Sequence, residues 1–426
     1  MSVFYEGVKD RFLKYVKINT TSKPNVEITP STSCQFDLAK VLYEECIELG
    51  LSDVYFDKKN CIVYANILSN TKDAISFALI AHMDTSPDVK GDGVKPWIYK
   101  NYQGGDIILN KKENIIFEEK VFPNVLNYIG ADIVFTDGTT LLGGDDKAAI
   151  AEIMTLAEYL IKNPNVKHGD IKIAFTPDEE VGGLAKDLDF KRLGADVAYT
   201  IDGDYVGYYS DETFYASEAQ FEIFGKNVHP GTAKGIMINA LSIANEIFNM
   251  IPPFRPENTS GRVGYFHPHV LEGNVEKAKM YCLIRDHDED LFNEKKIVLE
   301  NIKDKINKEY KKEVVKLVWA NSYSSMKKVV DKYPFMISSL EKAIIDAHVT
   351  PTKLAFRGGT DGSSISARGL PCPNISAGYE NGHSRFEFVP IQSMEKIVEI
   401  LINLAKNLSE VKKYEERIYL GFRDNV

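Results

Sequence analysis

Only five cysteines occur in 426 residues, at positions 34, 46, 61, 282 and 372, and no two form a CxxC pair. An odd, scattered set of this kind excludes a disulfide framework and a thiolate metal site, and reads as free thiols in a reducing compartment. Long apolar runs are missing as well: the longest largely apolar stretch, Ala74–Ala81, is far too short to cross a bilayer. Met1–Asp10 has no apolar h-region, and Lys9, Asp10, Arg11 and Lys14 interrupt the segment that follows. A cytoplasmic protein with no membrane partner is expected. Nor is there a basic excess. The chain carries 51 Lys and Arg against 61 Asp and Glu, a formal charge of −10, so it lacks the cations needed to neutralise phosphates, which excludes nucleic acid as a partner. Internal repeats and low-complexity tracts are absent.

What remains is an ordinary globular composition, 44% hydrophobic and 26% charged, in a chain long enough for two cores. Apolar runs of strand length (Ile62–Ile67, Ile75–Ala81, Ile171–Thr176, Val197–Ile201) alternate with amphipathic stretches. Ala148–Ile161 places Ile150, Ile153, Met154, Ala157 and Leu160 on one helical face, and Phe36–Leu49 is closed by Gly50. This alternation predicts an α/β layered domain. After about Asp211 the pattern changes. Tyr215–Phe224, Asn239–Met250, Arg262–Phe266, Lys279–Arg285, Leu291–Lys308 and Val314–Trp319 read as β-α-β-β-α-β, a ferredoxin-like α+β unit. The α/β character then returns with Pro334–Ala347, Thr352–Phe356, Pro373–Ser376 and Ile391–Leu408. The expected organisation is therefore one α/β domain in two parts, 1–211 and 322–426, interrupted by an inserted domain, 212–321. Asp88–Lys120, rich in Gly, Asn, Asp and Lys, reads as a long surface loop or hairpin.

Acids and imidazoles gather at the ends of the strand-like runs. His82 and Asp84 follow one, Glu179-Glu180 another and Asp202 a third, while Asp145-Asp146-Lys147 opens a helix behind Gly143-Gly144 and His383 stands in a polar loop. Alone, each has an unremarkable explanation as a cap or turn residue. Together they supply nitrogen and oxygen donors suited to a divalent metal with open coordination positions. Two adjacent glutamates can divide the work, one binding metal and the other taking a proton from bound water. The pattern predicts a two-metal hydrolase.

The segments His82-Met-Asp-Thr-Ser-Pro-Asp88, Leu141-Leu-Gly-Gly-Asp-Asp-Lys147, Thr176-Pro-Asp-Glu-Glu180, Asn227-Val-His-Pro-Gly-Thr-Ala-Lys-Gly235 and Arg357-Gly-Gly-Thr-Asp-Gly362 resemble those of the tripeptide aminopeptidase (peptidase T) branch of the dizinc M20 peptidases. The resemblance spans essentially the whole chain. Ala149, where glycine is common, and Ser384-Arg385-Phe386 depart from the pattern without removing a ligand. It implies a catalytic domain with a mixed sheet flanked by helices and an inserted domain serving as lid and dimerisation element. It implies two Zn2+ ions per subunit sharing one water or hydroxide. Asp145 would bridge the ions, His82 and Asp202 would complete one site, and Glu180 and His383 the other. Glu179 would be the general base for attack by the dizinc-bound hydroxide, and Asp84 would orient His82. A cis peptide would join Asp145 to Asp146. His229, Arg285, Arg357 and Asn258 would hold the substrate, with His229 acting from the neighbouring subunit of a homodimer. The expected activity is release of the N-terminal residue from tripeptides. A dipeptidase, carboxypeptidase or N-acyl hydrolase shares the same chemistry, and a catalytically silent zinc-binding protein is the alternative of another class.

Overall fold

A computed structural model describes residues 3–183 and 185–412, the side chains of residues 321 and 322 excepted. The backbone divides into two compact units. One gathers the chain up to Asp211, Lys328–Leu354 and the chain from Thr360 onward; the other holds Glu212–Lys327 and Ala355–Gly359.

The first unit is built on an eight-stranded mixed sheet. Its strands run in the order Ser52–Asp57, Ile62–Ile67, Ile171–Thr176, Phe77–His82, Val197–Ile201, Asn374–Ile375, Tyr208–Thr213 and Thr352–Phe356. Phe77–His82 lies parallel to both Ile171–Thr176 and Val197–Ile201. Continuous apolar runs suit such central strands, because both faces are covered and no residue has to meet water. Alternation along the strand sends Phe77, Leu79 and Ala81 into one core and Ala78 and Ile80 into another. The first core is closed by helices Tyr5–Tyr15, Gln35–Glu48, Gly144–Lys162, Pro334–Asp346 and Ile391–Ser409. The second is thinner, set by Ala78, Ala174 and Ala198 against Leu188, Leu193, Ile365 and Leu370. Because the three parallel strands point the same way, the residues that follow them emerge at one edge of the sheet. That edge is where open α/β sheets place their sites.

The segment Asp88–Lys120, expected as a long surface loop or hairpin, contains a hairpin and also lends a strand to a second small sheet. Trp97–Tyr99 joins Ile133–Phe135 and Val389–Pro390 in a three-stranded sheet, and Ile107–Asn110 pairs with Ile115–Phe117. Tyr102, Phe117, Phe135 and Phe388 form a separate buried aromatic core over these strands. The partners come from residues 133–135 and 386–390, so no local periodicity announces them.

The second unit is a four-stranded antiparallel sheet in the order Tyr265–Gly273, Lys277–Asp286, Tyr215–Phe224, Val315–Tyr323. Helices Ala240–Met250 and Glu289–Glu309 share its core with Ala219, Phe221, Ile223, Met280, Cys282 and Ile284, which alternate along the two central strands. The strand expected at Arg262–Phe266 is observed at Tyr265–Gly273. Pro268, with a register shift between it and Val270, breaks the alternation that a sequence reading follows; proline is tolerated because this strand lies at the sheet edge. The unit also runs to Lys327 and takes in Ala355–Gly359, beyond a simple insertion. Phe214 N donates to Gly358 O at 3.3 Å, and Arg357 donates to the carbonyls of Gly261 (2.7 Å) and Val263 (2.8 Å), holding that segment in place.

Phe117 makes edge contacts with Phe135 and Phe388 at ring-centroid distances of 5.3 and 5.6 Å. Replacing it with alanine leaves a cavity at the centre of the aromatic core, with an expected loss of about 3–5 kcal/mol. Urea unfolding of Phe117→Ala should show a lower midpoint; an unchanged midpoint would mean that this core does not support the fold.

Candidate active site

The edge of the large sheet collects residues from five loops. His82 ends its own strand, Glu179 and Glu180 stand in the turn after Thr176, and Asp202 follows Ile201. Asp145 lies at the start of helix Gly144–Lys162, and His383 in the loop between Asn374–Ile375 and Val389–Pro390. The structure brings these residues into two overlapping groups. Donor atoms of His82, Asp145 and Asp202 lie within 4.8 Å of one another, and so do those of Asp145, Glu180 and His383. Asp145 belongs to both groups: its Oδ1 is 3.0 Å from His82 Nε2, and its Oδ2 is 3.3 Å from His383 Nε2. His383 Nε2 also lies 2.8 Å from a Glu180 oxygen.

Local backbone chemistry explains how these side chains are held. Gly143 adopts φ 84°, open to glycine without strain, and a Cβ on Gly144 would lie 2.6 Å from Val389 Cγ2 and 2.9 Å from Glu387 Oε1. The turn before Asp145 therefore has room only for glycine. The Asp145–Asp146 peptide is cis, as the resemblance implied. Asp178 adopts φ 62°, and its carboxylate accepts from Ser31 N at 2.7 Å, Ser31 Oγ at 2.5 Å and Gln35 Nε2 at 2.7 Å. Those bonds brace the turn that presents Glu179 and Glu180.

Asp84 is fully buried and has two tasks. Its Oδ1 accepts the backbone N–H of Glu179 at 3.0 Å and its Oδ2 that of Glu180 at 3.2 Å. His82 Nδ1 lies 3.1 Å from the Asp84 carbonyl and 3.4 Å from Oδ1, so the ring meets the backbone oxygen more closely than the carboxylate. With Nδ1 occupied on this side, Nε2 faces Asp145.

The electrostatics are those of a site overloaded with anions. Burial raises the carboxyl of Glu180 to about 7, of Asp202 to about 6 and of Asp361 to about 7, and the charge of Asp145 adds to the first two. Burial pushes Glu179 well above the usual carboxylate range. Burial acts on Asp145 too, but the bonds from His383 and His82 outweigh it and hold that carboxyl well below its ordinary value. Bonds to Asp145 and Glu180 raise His383 to about 11. Two imidazoles cannot compensate so many buried carboxylates, whereas two divalent cations would. The donor set fits such cations: one carboxylate offers an oxygen to each half of the site, and Glu180 Oε1 is buried with no hydrogen-bond partner.

Residues to which the sequence assigns no site role complete the surroundings. Tyr379 Oη donates to Asp202 Oδ1 at 2.8 Å, and Thr176 Oγ1 donates to Asp361 Oδ2 at 3.0 Å. Glu387 is buried against the Asp145 turn. Its one legible signal is its position as the lone acid in the apolar run Phe386–Ile391.

The four residues assigned to substrate all lie in the second unit. His229 sits on an exposed turn, its Nδ1 accepting from Gly231 N at 3.1 Å. Arg285 donates to Ile284 O at 2.9 Å and stands 5.4 Å from the Tyr323 ring centroid. Arg357 spends both terminal nitrogens on the 259–263 loop, donating to Gly261 O, Val263 O and Thr259 Oγ1. Asn258 closes a local turn, its Oδ1 accepting from Arg255 N at 2.8 Å and its Nδ2 donating to Pro253 O at 2.8 Å.

Comparison with known proteins agrees with this architecture. The chain is 45% identical over 401 residues to peptidase T of Caldanaerobacter subterraneus, covering 94% of this chain and 98% of that protein. Its fold matches the crystal structure of aminopeptidase PepT from Bacillus cereus with a TM-score of 0.76 at 22% identity, covering 95% of this chain and 98% of the other. A tripeptidase from Staphylococcus aureus matches with a TM-score of 0.75 at 21% identity, covering 96% and 99%. Residues 143–407 match peptidase family M20/M25/M40, and to that family the chain belongs.

Proposed function

We propose that this peptidase removes the N-terminal residue from tripeptides, working with two divalent cations held by His82, Asp145, Asp202, Glu180 and His383, and that the cations are zinc. The observation that carries the reading is the Asp145 carboxylate, which faces one imidazole with each oxygen. Bound there, the cations would polarise the scissile carbonyl and lower the pKa of an attacking water.

The chain's own residues handle protons and position. A Glu179 carboxylate oxygen takes the proton of the attacking water and returns it to the leaving amine. Asp84 ties the backbone of Glu179 and Glu180 to the loop of His82, so base and ligand keep a fixed separation. Substrate contacts are assigned to His229, Arg285, Arg357 and Asn258. Arg285 is the better suited of the two arginines to a peptide carboxylate: its bonds to backbone carbonyls come from Nη1 alone, whereas Arg357 would have to release carbonyls from both terminal nitrogens. We place the enzyme in the cytoplasm as a homodimer joined through the inserted unit. Its five free thiols fit a reducing compartment, and no helix among the described residues is long and apolar enough to cross a membrane.

The test of substrate class is a panel of unblocked tripeptides, N-acetylated tripeptides and dipeptides, with products identified. Loss of the N-terminal residue from unblocked tripeptides alone is expected. Cleavage of dipeptides or of blocked peptides would move the enzyme to the dipeptidase or acyl-hydrolase branch, and release of the C-terminal residue would make it a carboxypeptidase.

Glu179→Gln should abolish turnover while metal content, measured on the same sample, stays near that of the wild type. Glu180→Ala should lose metal first. Equal metal loss in both variants would remove the distinction between base and ligand.

His229→Ala should lower kcat by more than it raises KM, as expected for a group that stabilises the transition state. In a mixture of His229→Ala and Glu179→Gln proteins with proven subunit exchange, one site of each mixed dimer regains both groups and activity should return in part. No recovery would place His229 over its own subunit's site, and wild-type kinetics in the single variant would end its catalytic role.

A further inference from the structure

One buried acid beside the site has no part in the chemistry above. Glu387 is 1% exposed, and its carboxylate accepts three backbone N–H groups. Oε2 takes those of Leu142 (2.9 Å) and Gly143 (2.7 Å), and Oε1 takes that of Asp145 (2.9 Å). Every donor belongs to the turn that delivers Asp145. The absence of space for a side chain at Gly144, where a Cβ would meet Glu387 and Val389, shows the turn wrapped closely around this carboxylate.

Glu387 is itself rigidly placed. Phe388, next to it, packs 5.6 Å from both Phe117 and Phe135, and Phe386 packs 5.0 Å from Phe122. Val389 and Pro390 pair with Val134 and Ile133 in the small sheet. The aromatic core and that sheet therefore anchor Glu387, and Glu387 anchors the turn. With its two oxygens a carboxyl group can accept all three of these backbone N–H bonds in one place, which suits the acid to this task.

We propose that Glu387 is a positioning residue for Asp145: by gripping the backbone of its turn it keeps the shared carboxylate between His82 and His383 and so sets the affinity of the site for its cations. This rests on reading the site as a two-cation centre. Glutamine has the same shape but only one acceptor oxygen. If that oxygen stays on Leu142 and Gly143, the amide NH2 faces the N–H of Asp145, and the tether to the shared ligand is the one lost.

The test uses the full chain equilibrated with chelator-buffered Co2+ over a range of free concentrations, with binding read from the d–d absorption band. The wild type should take up two equivalents. Glu387→Gln should bind at least one of them about 10- to 100-fold more weakly, with an unchanged far-ultraviolet circular dichroism spectrum. Glu152→Gln is the control: Glu152 lies buried on the same helix with both oxygens lacking a hydrogen-bond partner, and this variant should bind Co2+ as the wild type does. If Glu387→Gln does not fold, Glu387→Asp, which keeps the charge but draws it back by one methylene, should show the same weakening. Lower thermal stability in a folded Glu387 variant with wild-type Co2+ affinity would overturn the inference and leave the two-cation reading standing. A wild-type chain that takes up no Co2+ would overturn that reading itself.

Discussion

The arrangement of the first unit depends on burying one carboxylate, Asp145, between two imidazoles. Its charge survives burial because His82 and His383 each approach a different oxygen. The neighbouring acids have no such support: Asp202 and Glu180 are raised towards neutrality by burial and by Asp145 itself. A protein gains nothing in stability from packing carboxylates this way, since burying unpaired charge is strongly unfavourable. The cluster makes physical sense as half of an electrostatic pair whose other half is cationic.

The fold carries that load through the direction of its central strands. Phe77–His82, Ile171–Thr176 and Val197–Ile201 are parallel and adjacent, so His82, the Glu179–Glu180 turn and Asp202 leave the sheet at the same edge without any long-range adjustment. Asp145 arrives differently, at the start of a long helix whose far turns are locked into the core by Ile150, Ile153, Met154 and Leu160. Strand ends fix three sides of the site, a helix start fixes a fourth, and the loop of His383 supplies the fifth.

Much of this was legible in the sequence because it rests on local chemistry. Continuous apolar runs marked the central strands, and the β-α-β-β-α-β order marked the second sheet. The acids and imidazoles stood where strand-like runs stopped. Features that depend on partners distant in sequence escaped. The aromatic core around Phe117 is assembled from residues 97–135 and 386–388, none of which follows a period that would predict the others. The strand containing Pro268 begins later than its sequence pattern suggests, because proline and a register shift hide the alternation. Arg357 and Asn258 have a candidate polar character in sequence, yet the structure occupies both with turns in their own unit. Residue type shows what a side chain can bond to; it does not show which partner reaches it first.

The acids near the site make the same point more sharply. Asp178, Glu179 and Glu180 are consecutive and chemically alike, yet Asp178 turns away to hold Ser31 and Gln35, Glu180 meets His383, and Glu179 is the one we propose as general base. Asp84 and Glu387 likewise direct their carboxylates at backbone N–H groups, one binding the Glu179–Glu180 turn and the other the Asp145 turn. Three acids thus fix loops, and those loops present the remaining acids at defined separations. A carboxylate suits both roles because it accepts several N–H bonds in one place and also offers hard oxygen donors to cations. The density of acids in these motifs therefore overstates the number that face the reaction, and the surplus is what holds the rest at working distance.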